Sequence, residues 1–324
     1  MTRRGLSVVG AAMLAVVLVG CGASGGSGEA NGGAGASGTQ ASTGGSIRIV
    51  ASTDVYGDVA QRIAGGAAEV TSLITDPAQD PHSFEASPQA LVALSKADIV
   101  IENGGGYDDF VDSLLKTAGT DAPVLNVVDI SGFAPQQGDD LNEHVWYDFP
   151  TMARFVDALT AALSKADPSG AGGFAANATA FKADLSRMEG EQAKIKAAHG
   201  GAGVAVTEPV PLYLLTAAGL INRTSPEFSE AIEEDTDVAP AVLQQTLNLL
   251  RDKQVVLLAY NEQTSGPQTE QVQEAARSNN IPVVGFTETL PASKDYVSWM
   301  NDNMTALAAA LDTGASAGSG TAGS

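Results

Sequence analysis

The sequence has one cysteine, three histidines and two tryptophans in 324 residues, and aromatic residues make up only 5% of it. A lone cysteine excludes an intrachain disulfide. So few aromatics leave little with which to line a cleft for a large organic ligand. Basic residues are also short, with 17 Lys and Arg against 38 Asp and Glu, for a formal charge of −21. Nucleic acid, which is bound by neutralising phosphates, is excluded as a partner. A field of this sign attracts cations instead. Between residues 47 and 312 there is neither a His-Glu-x-x-His pair nor a Gly-x-Ser-x-Gly elbow, which removes two common signatures of hydrolytic enzymes.

The chain begins with Arg3 and Arg4, then an apolar run from Leu6 to Val19 that is too short and too rich in glycine and alanine for a good membrane span. This is the pattern of a secretory signal. It ends in Leu18-Val19-Gly20-Cys21, which resembles the bacterial lipobox. That resemblance implies that residues 1–21 are a lipoprotein signal, that Cys21 takes on lipid, and that the mature chain is anchored at the extracellular face of the membrane. Residues 22–46 are almost wholly Gly, Ser, Ala, Thr, Asn and Gln, the composition of a flexible tether, and 313–324 read as a disordered tail of the same kind.

From Ile47 short apolar strands alternate with amphipathic helices, which predicts α/β architecture with mainly parallel sheets. The strands of the first half are expected at 47–52, 69–74, 99–102 and 124–127, with Ser87-Pro88 opening a helix between the second and third. Those of the second half are expected at 203–207, 255–259 and 282–286, with a weaker one at 220–222. Between them Phe174, Ala178, Phe181, Leu185, Met188 and Ile195 follow intervals of three and four, with Gln192 the one polar interruption, predicting one long helix. About 25 such residues would run roughly 37 Å. Two shorter helices broken near Gly190 are the alternative, because glycine costs about 1 kcal/mol inside a helix. The fold expected is two pseudo-symmetric lobes, 47–170 and 201–312, joined by one long α-helix over 171–200.

With only three histidines, their positions carry information. Open parallel sheets bind ligands at the carboxyl ends of their strands. His82 follows the second expected strand and His144 the loop after the fourth, while Glu208 and Glu288 follow two strands of the second half. An ionised glutamate at the end of an apolar strand needs a cation, an arginine or solvent. One divalent ion among two neutral imidazoles and two carboxylates is formally neutral, so it can be buried between lobes. Any one of these four residues alone is more often an ordinary surface or capping group; the joint placement carries the reading. His199, at the end of the long helix, reads as a helix-dipole partner rather than a ligand.

Asp80-Pro81-His82-Ser83-Phe84-Glu85 and Glu143-His144-Val145-Trp146-Tyr147-Asp148 resemble the two metal-ligand motifs of the receptor lipoproteins that serve zinc and manganese ABC importers. Ala97-Asp98-Ile99-Val100, Asn103-Gly104, Thr207-Glu208-Pro209, Asn261-Glu262-Gln263-Thr264 and Glu288-Thr289 extend the likeness from Ile47 to about Leu311. The resemblance implies a monomeric receptor, not an enzyme, that holds one Mn2+ or Zn2+ with His82, His144, Glu208 and Glu288 and passes it to a membrane permease and its ATPase. Glu288 stands where the family usually has aspartate. Glu143 stands where proline commonly precedes the second histidine, which leaves open whether it competes as a ligand or orients His144. Oxygen donors and the absence of a histidine-rich loop tilt the choice toward manganese. A metallohydrolase with an open His/Glu site, a receptor for an organic iron complex, and an adhesin on the same scaffold are the competing readings.

Overall fold

The structure, a computed structural model, describes residues 46–77, 79, 81–82, 84–134 and 141–319, and the side chains up to residue 314. The expected signal, Cys21 and nearly all of the expected tether lie outside the described residues. In the first half the order is β1 (Ile47–Thr53), α1 (Asp54–Ala64), β2 (Ala68–Ile74), α2 (Pro88–Leu94), β3 (Ile99–Glu102), α3 (Asp109–Ala118), β4 (Val124–Asn126), α4 (Val127–Ser131) and α5 (Phe149–Ala166). Helix α6 (Ala171–His199) follows. The second half contains β5 (Gly203–Val206), α7 (Leu212–Ala217), β6 (Ile221–Asn222), α8 (Pro226–Glu233), α9 (Pro240–Arg251), β7 (Leu258–Asn261), α10 (Pro267–Ser278), β8 (Val283–Phe286) and α11 (Tyr296–Ser319).

Each half has a four-stranded sheet, ordered β2-β1-β3-β4 and β6-β5-β7-β8, and every pairing is parallel. Counting strands within each half, the order is the same: second, first, third, fourth. This repeat is the pseudo-symmetry expected from the sequence. Strands β3 and β7 are buried at every residue, as sheets covered by helices on both faces require. Ser87 Oγ accepts from Ala90 N at 3.2 Å and so caps α2, whose first residue is Pro88.

Helix α6 runs 29 residues without a break, about 43 Å. Gly190 lies inside it, and a side chain there would meet nothing within 4 Å. Phe174, Phe181, Leu185, Met188 and Ile195 are buried along one face. They join a single apolar cluster that includes Ile49, Phe155, Val206, Phe286 and Trp299, so one core runs through both halves. Polar ties cross between the halves as well. Tyr296 Oη donates to Trp146 O (2.6 Å), Tyr147 Oη to Thr287 O (2.7 Å), and Asp58 Oδ2 accepts from Tyr296 N (2.9 Å).

Two expected elements move by more than one residue. Strand β7 begins at Leu258, three residues later than the apolar run 255–259 suggests, and ends at the polar Asn261. Val255 is buried, but the ladder with β8 continues past the apolar run to Asn261, which pairs with Phe286. The C-terminal helix continues through Gly314 to Ser319, into what the composition marks as tail. The missing side chain of Gly314 is what lets it lie against the carbonyl of Val256; residues 320–324 are outside the described set.

Candidate metal centre

Both sheets point their carboxyl ends at a cavity of about 850 Å³, whose wall includes His82, Glu143, Glu208, Glu233, Gln263 and Glu288. Its described lining has several further carboxylates and no lysine or arginine. The wall can attract a bare cation; it would repel an anionic chelate.

His144 is completely buried, just before a 3-10 turn at Val145–Tyr147. Its ring lies edge-on to Trp146 (5.1 Å) and Tyr107 (5.9 Å). Nδ1 is 2.8 Å from Asn142 Oδ1. Because an amide oxygen only accepts, the proton of a neutral ring sits on Nδ1, and Nε2 is left with its lone pair. Nε2 has no hydrogen-bond partner among the described residues. Burial, and then the neighbouring His82, hold the His144 pKa well below the usual histidine range, so the ring is neutral. A buried neutral imidazole, fixed in one tautomer by an amide behind it, is the form a metal requires.

His82 lies in the loop after β2, its ring edge-on to Tyr107 at 5.1 Å and its Nε2 3.6 Å from Glu143 Oε1. Tyr107 thus stands against both histidines. Its loop is held by Asp108, whose carboxylate accepts from Asn103 N (2.7 Å) and Gly104 N (2.8 Å). Asn103 Nδ2 in turn donates to the Glu143 carbonyl at 3.0 Å, tying this turn to the segment that carries His144.

Glu208 and Glu288 follow β5 and β8 and are 3% and 4% exposed. Asn261, the last residue of β7, donates from Nδ2 to both of them. Gln263 Oε1 accepts from the backbone N–H of Glu288 and of Thr289, the latter at 3.1 Å, and its Nε2 donates to Pro77 O in the loop that leads to His82. The Asn-Glu-Gln-Thr run at 261–264 is therefore the brace of the second-half carboxylates.

Three of the four sequence candidates, His82, Glu208 and Glu288, line the cavity and His144 is buried beside His82, so the four fall into two groups. Glu208 and Glu288 form one, joined through Asn261. His82 and His144 form the other, and the carboxylate that completes a mutually close trio with them is Glu233, each residue offering a ligand atom within 4.8 Å of the other two. Glu233 Oε1 is 3.6 Å from His144 Nδ1. Burial, then the charges of Glu143, Glu208 and Glu288, push the Glu233 pKa far above the carboxylate range. Sequence reasoning missed it because it ends a helix rather than a strand. The available signal was Ser225-Pro226, the same opening as Ser87-Pro88, followed by a short acidic helix. His199, at the end of α6, has Nε2 3.0 Å from Asp312 Oδ1.

The chain is 31% identical over 144 residues to a manganese-binding lipoprotein MntA of Halalkalibacterium halodurans, an alignment covering 44% of this chain and 47% of that one. It is 26% identical over 247 residues to the MntA of Bacillus subtilis, covering 73% and 78%. The periplasmic zinc binding protein TroA from Treponema pallidum superposes with a TM-score of 0.69 over 82% of this chain and 99% of its own, at 18% identity, which shows the shared fold. The sequence model of the zinc-uptake complex component A (ZnuA) periplasmic family matches residues 49–310, and the chain belongs to that family.

Proposed function

We propose that this protein is the extracellular receptor of an ABC importer for a divalent transition metal, capturing one Mn2+ or Zn2+ in the cavity between its halves and delivering it to a membrane permease driven by an ATPase. The observation that carries the reading is the meeting of two histidines from the first half, His144 neutral and buried, with paired carboxylates from the second beside a cavity whose described wall has no lysine or arginine. His82, His144, Glu208 and Glu288 are the ligands in this reading, and Cys21 the lipid anchor of a monomer. Residues 47–170 and 201–312 are the two lobes, with 171–200 as their link. Two histidines with oxygen donors suit manganese, as the names of the two MntA relatives do, although zinc outbinds manganese at most such sites.

The metal-laden form differs from the empty one mainly in its loops. The shared core and the hydrogen bonds between Tyr147, Tyr296 and the opposite half oppose a swing of one sheet against the other. The test is to express residues 22–324, strip them with chelator and count bound ions by elemental analysis while manganese and zinc compete. One ion per chain, lost in His144→Ala, supports the receptor. No tightly held ion would reopen the readings of a receptor for an organic complex or an adhesin.

A further inference from the structure

Glu233 sits where a carboxylate is costly on three counts. It is the last residue of α8, at the negative end of the helix dipole, and no basic residue stands in that turn. Its side chain is only 14% exposed, and Oε1 has no hydrogen-bond partner among the described residues. Glu230 and Glu234 flank it on the same cavity wall, with Glu208 and Glu288 across from it. Yet the surroundings hold it in place. Phe228 and Ile232 anchor α8 in the second apolar cluster, and the helix is closed by Thr236 N bonding to Ala231 O at 2.8 Å, with Asp235 turned to a φ of 51°. A cation would offset the cost of a carboxylate fixed beside two imidazoles.

We propose that Glu233 is a direct ligand of the bound ion, a third carboxylate beside Glu208 and Glu288, and that it tunes the site toward manganese. This rests on the receptor reading above. With His82 and His144 the three carboxylates supply five donors and one net negative charge around a divalent ion. Zn2+ is commonly satisfied by four ligands, whereas Mn2+ favours a larger, oxygen-rich shell. The close trio with the two histidines gives Glu233 the geometry to enter that shell.

The test compares wild type with Glu233→Gln, which keeps the shape and removes the charge. Each is loaded with Mn2+ alone and with Zn2+ alone, and read by chelator competition and by X-ray absorption at the metal edge. Mn2+ affinity should fall about ten- to a hundredfold and Zn2+ affinity less, and the wild-type Mn2+ shell should hold more light-atom neighbours than the Zn2+ shell. The empty variant should melt close to wild type, because the amide keeps the size and shape of the carboxyl; this separates lost binding from lost folding. Mn2+ affinity within about twofold of wild type, or a wild-type Mn2+ shell with no more light-atom neighbours than the Zn2+ shell, would overturn the ligand role, and equal losses for both metals would overturn the selectivity. If wild type itself bound neither ion, the receptor reading would fall instead, so the two failures are distinguishable.

Discussion

Glu208 and Glu288 accept hydrogen bonds from the same amide nitrogen, Nδ2 of Asn261, at 2.8 Å each. Two like charges from different strand ends are thus held together by one donor, which sets their separation before any ion arrives. Asn261→Ala removes that donor while leaving both carboxylates. Metal affinity should fall about ten- to a hundredfold, the range typical of groups that orient ligands. A chelator-competition titration measures it, and an affinity within about twofold of wild type would show that the clamp is irrelevant.

Gly104 has a φ of +77°, in the left-handed region, and a methyl added there would lie 2.6 Å from Asn126 Cγ. Asn126 cannot move freely, since it donates to Glu102 at 2.9 Å and its Oδ1 caps α4 by accepting from Asp129 N at 2.9 Å. Gly104→Ala therefore combines backbone strain with a clash against a braced side chain. It should cost about 2–3 kcal/mol in urea denaturation. Because the same turn presents Tyr107 to both histidines, metal affinity should drop with it; a loss of stability under about 0.5 kcal/mol would contradict the account.

The parallel sheets and the connecting helix were legible because burial on both faces writes continuous apolar runs, such as Ile99–Ile101, and because α6 repeats its buried residues at helical spacing. His82 and His144 could be singled out because histidine is so scarce here. What was not legible depends on partners distant in sequence. Asn261 reads as a polar residue beyond the apolar run, and its role appears only when β7 places it between Glu208 and Glu288. Glu233 is hidden for the opposite reason: it is one acid among several at the end of α8, and only the packing of Phe228 and Ile232 turns it toward His144.

Gly190 separates helix propensity from tertiary context. It lies inside α6 with open space where a side chain would stand, so its flexibility brings the structure no packing advantage. Gly190→Ala should raise stability by about 1 kcal/mol, the helix-propensity difference, with metal affinity unchanged. Thermal or urea melts measure the gain. Destabilisation would mean that the helix bends at Gly190 in some state of the protein.

Glu102, the last residue of β3, is 7% exposed and accepts from Asn126 Nδ2 at 2.9 Å. Burial raises its pKa from 4.5 to about 7, with Asp108, Asp112 and Asp129 adding to the shift. The sign follows from proton counts. Between pH 4.5 and 7 the folded chain keeps this proton while the unfolded chain releases it, so the stability conferred by the neutral carboxyl is full below 4.5 and is lost as pH rises through 7. Glu102→Gln keeps an oxygen for Asn126 and has no charge to bury. At pH 8 it should be about 1–2 kcal/mol more stable than wild type, one pKa unit being worth about 1.4 kcal/mol, and the advantage should shrink toward zero near pH 4. Urea titrations of both proteins across that range measure the difference, and a gap that stayed constant with pH would show that Glu102 ionises alike in the folded and unfolded chains.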